Sequence, residues 1–179
     1  MRKSIYLTYC LFLFPILANA QATYPFGTIL KKLYADQGKN ANNVVKPAQS
    51  VLETIQPDGT WTDINYEDKS TTNWLPITHI TRVTDLVYAY STEGSTYRKN
   101  DKVYNAIVNA LKIWYNKDPK STNWWHNEIN VPQKLGLLLV IMTSAEKQLP
   151  DELQNQLIER LKRGNMVEKT GANKTDIAM

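Results

Sequence analysis

The sequence has almost no cysteine. Its 179 residues contain one, Cys10, inside the apolar stretch Ile5–Leu17. Met1-Arg-Lys-Ser is a short basic start, and the apolar stretch is too short for a good membrane span. Ala18-Asn19-Ala20 has the small-x-small pattern of a cleavage site, so residues 1–20 are expected to be a signal peptide. Tyr9 before Cys10 suits a lipoprotein site poorly. A chain beginning at Gln21 has no thiol, which excludes disulfide staples and thiol chemistry.

Charge of one sign is also scarce. Arg2 and Lys3 leave with the leader and no acid leaves with them, so 19 basic residues face 17 acidic ones. A balance of +2 gives no sign of a nucleic-acid binder. No second apolar run is long enough to cross a bilayer. No membrane association is expected after signal cleavage, and the product should be a secreted or periplasmic monomer. Histidine is limited to His79 and His126. Neither has a second ligand at useful spacing, and His126-Asn127-Glu128 is not an HExxH motif, so no metal or cofactor is expected.

Helical periodicity is abundant. Segments Tyr24–Gln37 and Val44–Ile55 are moderate helical candidates. Pro76–Tyr90 carries Ile80, Val83, Val87 and Tyr90 at helical spacing, and Asp101–Tyr115 carries Val103, Ile107, Leu111 and Trp114. Val131–Met142 is apolar all round, the pattern of a helix buried on most sides. Asp151–Arg163 repeats Leu153, Leu157 and Leu161 between an acidic start and a basic end followed by Gly164. Pro57-Asp58-Gly59 is a turn, and no convincing strand pair appears. The expected class is all-α, built of antiparallel helical hairpins.

Three features bear on chemistry. Trp124-Trp125 sits in Ser121–Pro132. Adjacent side chains diverge by about 100° on a helix, so one contact rarely absorbs both rings. Two readings fit: a loop locked onto the helical layer, or an aromatic platform for the C–H face of a sugar. His126 and His79 read as hydrogen-bonded structural groups, His79 more firmly, and Glu128 as a carboxylate near a helix start rather than an acid or base. Lys169-Thr-Gly-Ala-Asn-Lys-Thr-Asp176 offers Gly171 for a tight turn and Asn173 as an uncharged donor, or simply a helix cap.

Four segments in order resemble one family. They are Gln56-Pro-Asp-Gly-Thr-Trp61 with Asp63 and Tyr66, Asn73-Trp-Leu-Pro76 with His79, Asn123-Trp-Trp-His-Asn-Glu-Ile129 with Pro132, and Thr170-Gly-Ala-Asn-Lys-Thr-Asp-Ile-Ala178. Together they are similar to polysaccharide lyase family 8, which includes chondroitin AC, hyaluronate and xanthan lyases, the chondroitin AC type in particular. Asn130 departs from the small residue found there in many members. The resemblance implies an incomplete (α/α) toroid, of which residues 21–179 would form the first part. It implies β-elimination on uronate-containing glycosaminoglycans, with an acidic polysaccharide as partner. It assigns Asn173 to a hydrogen bond with the uronate carboxylate, and Trp124 and Trp125 to sugar stacking. The family's catalytic histidine, tyrosine and arginine follow the TGAN motif and so fall after Met179. The chain is therefore expected to be an amino-terminal portion, inactive alone. The alternative is a non-catalytic secreted helical module that binds acidic polysaccharide.

Overall fold

The computed structural model describes residues 26–164. The expected signal peptide and Asn173 lie outside the described residues. Among the described residues there are six α-helices: α1 (Phe26–Asp36), α2 (Ala41–Thr54), α3 (Ile77–Ser91), α4 (Asp101–Lys117), α5 (Val131–Thr143) and α6 (Asp151–Leu161). No strand occurs among the described residues, so the chain is all-α. None of the described helices is long and apolar enough to cross a membrane.

Helix boundaries follow local chemistry. α2 starts three residues before the expected Val44. The Asn40 side chain accepts from Asn42 N–H at 3.0 Å, and Asn43 Oδ1 accepts from Asn40 N–H at 3.0 Å. This reciprocal cap is built from asparagines instead of the Ser/Thr and Glu/Gln that mark it in sequence. α6 ends at Leu161 rather than Arg163, because the chain turns there and Gly164 N–H donates to Leu161 O at 2.9 Å.

α3 is the central helix and packs against α2, α4 and α5. Ile80, Val83, Leu86, Val87 and Ala89 are fully buried on it. Each large aliphatic side chain removed from water in this way contributes roughly 1.5–3 kcal/mol. α6 covers α4 and α5. α5 is less enclosed than its composition suggests. Leu135, Leu138, Ile141 and Met142 are buried, whereas Leu137 and Leu139 are half-buried and Val140 is exposed.

Contacts between helix ends fix their directions. At one end Lys147 pairs with Asp101 at 3.4 Å and Tyr104 Oη donates to Gln148 O at 2.8 Å. The start of α4 therefore lies beside the α5–α6 turn. At the other end Asp118, just past α4, meets Arg163, just past α6. α4 and α6 run parallel, with α5 opposite to both. His79 in α3 reaches Ala110 in α4, so α3 opposes α4. The loop between α2 and α3, the loop after α4 and the turn after α6 consequently share one rim of the helical layer.

Candidate functional site

That shared rim carries three of the four sequence motifs. The Gln56–Trp61 turn lies against α4. Gly59 has φ +90°, and a Cβ there would fall 2.6 Å from Asn109 C and 2.7 Å from Ala110 N. Only glycine permits this approach. Trp61 and Trp74 are each 1 % exposed, so two of the motif tryptophans are core. Trp74 stands 6.3 Å from Trp114 and 5.2 Å from the His126 ring, centre to centre.

The tryptophan pair begins a helical segment that sequence periodicity placed seven residues later. Trp124 and Trp125 are helical, His126–Asn130 is a π-helical turn, and α5 continues from it. Pro132 explains the turn. It has no N–H to donate to Glu128 O, and the ladder shifts to a wider bond from Val131 N–H to His126 O. Pro132 thus lies inside a continuous helix. Trp124 is 37 % exposed, whereas Trp125 is half-buried with its ring edge-on to His126 at 5.3 Å. The two rings have different environments, as their angular separation requires.

A polar lattice holds the pair. Ser121 N–H donates to Asn127 Oδ1 at 3.0 Å, and Asn127 Nδ2 donates to Ser121 O at 2.8 Å. Ser121 Oγ donates to Ser70 O at 2.6 Å, and Thr122 N–H donates to Lys69 O at 3.0 Å. Asn123 Oδ1 accepts from Trp125 N–H at 3.0 Å, and its Nδ2 donates to Thr71 O at 3.2 Å. The loop before α3 and the loop before the tryptophans therefore behave as one unit.

Both histidines are committed. His79 is fully buried. His79 Nε2 faces a carbonyl and so carries the proton of the neutral ring; Nδ1 therefore accepts from Tyr66 Oη at 2.9 Å, and Tyr66 Oη accepts from the Trp61 backbone N–H at 3.2 Å. His79 Nε2–H then donates to Ala110 O at 3.0 Å. Burial lowers the His79 pKa to about 4. His126 Nδ1 lies 3.1 Å from Asn130 Nδ2. An amide nitrogen only donates, so Nδ1 accepts and the neutral ring carries its proton on Nε2. Burial lowers this pKa too. The departure at Asn130 thus has a partner in the same helix, one turn from His126.

Beside the π turn lies an open hollow of about 550 Å³, lined by Lys120, Asn127, Glu128, Lys162, Arg163 and Gly164. Arg163 binds Asp118 through both guanidinium nitrogens at 2.6 and 2.7 Å. Arg160 and Lys120 approach the same carboxylate at 3.3 and 3.6 Å. Burial pushes the Asp118 pKa up, but Arg163, Arg160 and Lys120 together hold it below the usual value. Gly164 leans on the π turn: a Cβ there would lie 3.5 Å from Pro132 Cβ and 3.6 Å from Glu128 O. Among the described residues no group of three His, Cys, Asp or Glu side chains is arranged to hold a metal.

Sequence reasoning missed Ser121, Asn127, Asp118 and Arg163. Their roles depend on bonds between side chain and backbone, or across loops, which leave no periodic trace. The geometry offers an outward indole on a rigid rim beside mixed charge. Such a surface can bind a polar ring with an apolar face, and neither histidine is placed as a free base.

Known proteins resemble this chain in sequence and fold. Polysaccharide lyase family 8, N terminal alpha-helical domain, matches residues 26–179. The chain is 44 % identical to Chondroitinase-AC of Pedobacter heparinus over 180 residues, covering 99 % of this chain and 26 % of that protein. It is 31 % identical to Hyaluronate lyase HylB of Enterococcus faecalis over 127 residues, covering 57 % and 12 % of the two chains. It thus spans about a quarter or less of these relatives. A chondroitinase AC lyase solved in complexes with oligosaccharides superposes with a TM-score of 0.79 at 46 % identity, over 86 % of this chain and 23 % of that one. A Paenibacillus xanthan lyase shares the fold, with a TM-score of 0.67 at 21 % identity over 78 % and 14 %. With the helical hairpins, the motif rim and these matches in agreement, the chain belongs to polysaccharide lyase family 8, as its amino-terminal α-helical domain.

Proposed function

We propose that residues 21–179 form the sugar-binding first section of an exported lyase that cleaves uronate-containing glycosaminoglycans by β-elimination. Residues 1–20 direct export, and the mature product is secreted or periplasmic and monomeric. The helical hairpins form the opening arc of an incomplete toroid, with the motif rim facing the polysaccharide. The observation that carries this reading is the outward Trp124 beside half-buried Trp125, on a rim where three family motifs meet.

β-Elimination removes the proton on the carbon next to the uronate carboxylate. Charge then builds on a group that is already an anion, so donors at the carboxylate stabilise the transition state. Asn173 supplies such a donor: its amide needs no protonation to act. Trp124 and Trp125 hold a sugar ring by its C–H face, which fixes the register of the chain over that donor. Proton removal needs a base near neutral pH. His79 is buried on Ala110 and Tyr66, and His126 Nδ1 is engaged by Asn130. These 179 residues by themselves therefore bind the polymer without cutting it. The same observation supports the second reading, a non-catalytic module for acidic polysaccharide.

Retention on immobilised chondroitin sulfate tests the reading. The purified chain is retained, Trp124→Ala weakens retention, and no unsaturated sugar, seen as rising ultraviolet absorbance, is released. Unchanged retention of Trp124→Ala returns the pair to a packing role. Release of unsaturated product by the purified chain overturns the inactivity.

A further inference from the structure

Asn127 closes a ring of backbone around the tryptophan pair. Its two ends act on one residue: Oδ1 accepts the Ser121 N–H at 3.0 Å and Nδ2 donates to the Ser121 carbonyl at 2.8 Å. The side-chain amide thus takes the place of a paired peptide group. Trp124 and Trp125 lie between the two closing residues. Ser121 is itself buried and anchored, since its hydroxyl donates to Ser70 O at 2.6 Å and accepts from Asn123 N–H at 3.0 Å. On the other side Asn127 belongs to the π turn that Pro132 imposes. The pair is held from both directions, by the fixed loop before it and the fixed helix after it.

This arrangement points to use. A π turn is rare and occurs mostly as a single turn inside an α-helix, frequently at functional sites. The exposed part of Trp124 contributes no burial to the fold. A loop that only needed to connect α4 to α5 would require neither. The two asparagine bonds remove the freedom that Trp124 and Trp125 would otherwise lose on meeting a ligand, and preorganisation of that kind raises affinity.

Resting on the proposed sugar-binding role of the tryptophans, we infer that Asn127 is a positioning residue for the polysaccharide: its paired bonds to Ser121 fix the orientation of Trp124 and Trp125 as stacking surfaces. It does not touch the sugar. It sets the angle at which the indoles are offered, and so selects ligands whose successive rings match that angle. Asn127→Ala removes both bonds. Asn127→Asp keeps the shape and the acceptor for Ser121 N–H but turns a carboxylate oxygen toward the Ser121 carbonyl.

The experiment titrates the full chain with a chondroitin hexasaccharide and records fluorine spectra of the same chain carrying 5-fluorotryptophan. Signals are assigned by single Trp→Phe variants. Trp124→Ala and Trp125→Ala are expected to lose affinity. Asn127→Ala and Asn127→Asp are each expected to lose roughly ten-fold, the range for one or two hydrogen bonds. In both, the Trp124 and Trp125 signals shift or broaden while those of Trp61, Trp74 and Trp114 stay in place. If Asn127→Ala does not fold, the isosteric Asn127→Asp decides. Asn127 variants that bind within about two-fold of the parent while the tryptophan variants lose binding overturn the inference. So does a shift of all five signals together, which makes Asn127 a general support of the fold. If the tryptophan variants keep full affinity, the sugar-binding reading falls first, and the fluorine signals alone then judge the positioning.

Discussion

His79 and Ala110 are joined across two helices, with the imidazole Nε2–H donating to the Ala110 carbonyl at 3.0 Å. The same ring takes the Tyr66 hydroxyl proton on Nδ1. It packs edge-on against Trp61 at 4.9 Å and lies 5.4 Å from Trp114. One buried side chain thus ties the Gln56–Trp61 turn to α3 and α4. That geometry requires a neutral ring.

Acid should expose this requirement. Burial lowers the His79 pKa from 6.5 to about 4; the bond to Ala110 pulls the other way and Arg82 adds to the lowering. Above pH ~6.5 the ring is neutral whether folded or unfolded. Between those values the unfolded chain binds a proton that the folded chain refuses. Stability therefore falls as pH drops from 6.5 to about 4, by on the order of 3 kcal/mol from this residue. Urea unfolding across that range should show the slope, and the His79 ring resonance should remain that of neutral imidazole at about pH 5.5.

Gly59→Ala should be severe. The added Cβ meets backbone atoms of Asn109 and Ala110, which have no rotamer to escape by, and φ is +90°. A loss of about 3 kcal/mol or more is expected in chemical denaturation. Gly27→Ala is the control. It lies in α1 with nothing within 4 Å of the new Cβ, and should stabilise by roughly 0.5–1 kcal/mol.

The Asp118–Arg163 pair should show a measurable coupling. Asp118 caps α4 in the left-handed region, with φ 45°. Asp118→Asn keeps a residue that tolerates that conformation but removes the charge. A double-mutant cycle of Asp118→Asn with Arg163→Gln should give about 1 kcal/mol or more, above the usual value for exposed pairs. The coupling should be present at neutral pH. It should vanish as pH falls through the depressed Asp118 pKa, since the unfolded aspartate titrates higher.

Pro132→Ala should divide stability from binding. The new N–H can donate to Glu128 O and convert the π turn to α-helix. Each residue of register rotates the upstream side chains by about 100°. Far-ultraviolet circular dichroism should show equal or greater helicity, while retention on chondroitin sulfate falls. Undiminished retention would separate the π turn from any role in presenting the indoles.

The residues that were legible in the sequence are those that repeat. Leu153, Leu157 and Leu161 marked α6, and Val103 to Trp114 marked α4, because burial imposes a period of 3.6. His79 was legible as structural from its place inside an amphipathic helix. The start of α2 was not, because Asn40 and Asn43 form a cap with atypical residues. The start of the α5 segment was not legible either: the apolar run begins at Val131, whereas the helix begins at Trp124 and passes Pro132 through a π turn. Ser121 and Asn127 left no sign at all, since two asparagine bonds to a serine backbone look like any polar loop. The divergence of the tryptophan pair follows from its spacing; which ring is the more exposed, Trp124, depends on the helix around it.

The rim opposite the motifs offers a handle. The turns after α3 and after α5 meet there, joined by the pairs Lys99–Glu146 and Lys147–Asp101 and by Tyr104 on Gln148. α4 has 17 residues, so this rim stands roughly 25 Å from the tryptophans. A thiol introduced at Lys102 or Glu146 and coupled to a sensor chip would orient every molecule alike. The motif rim would then face the solution, in a flat array of uniformly oriented molecules made from a chain whose only native cysteine is Cys10.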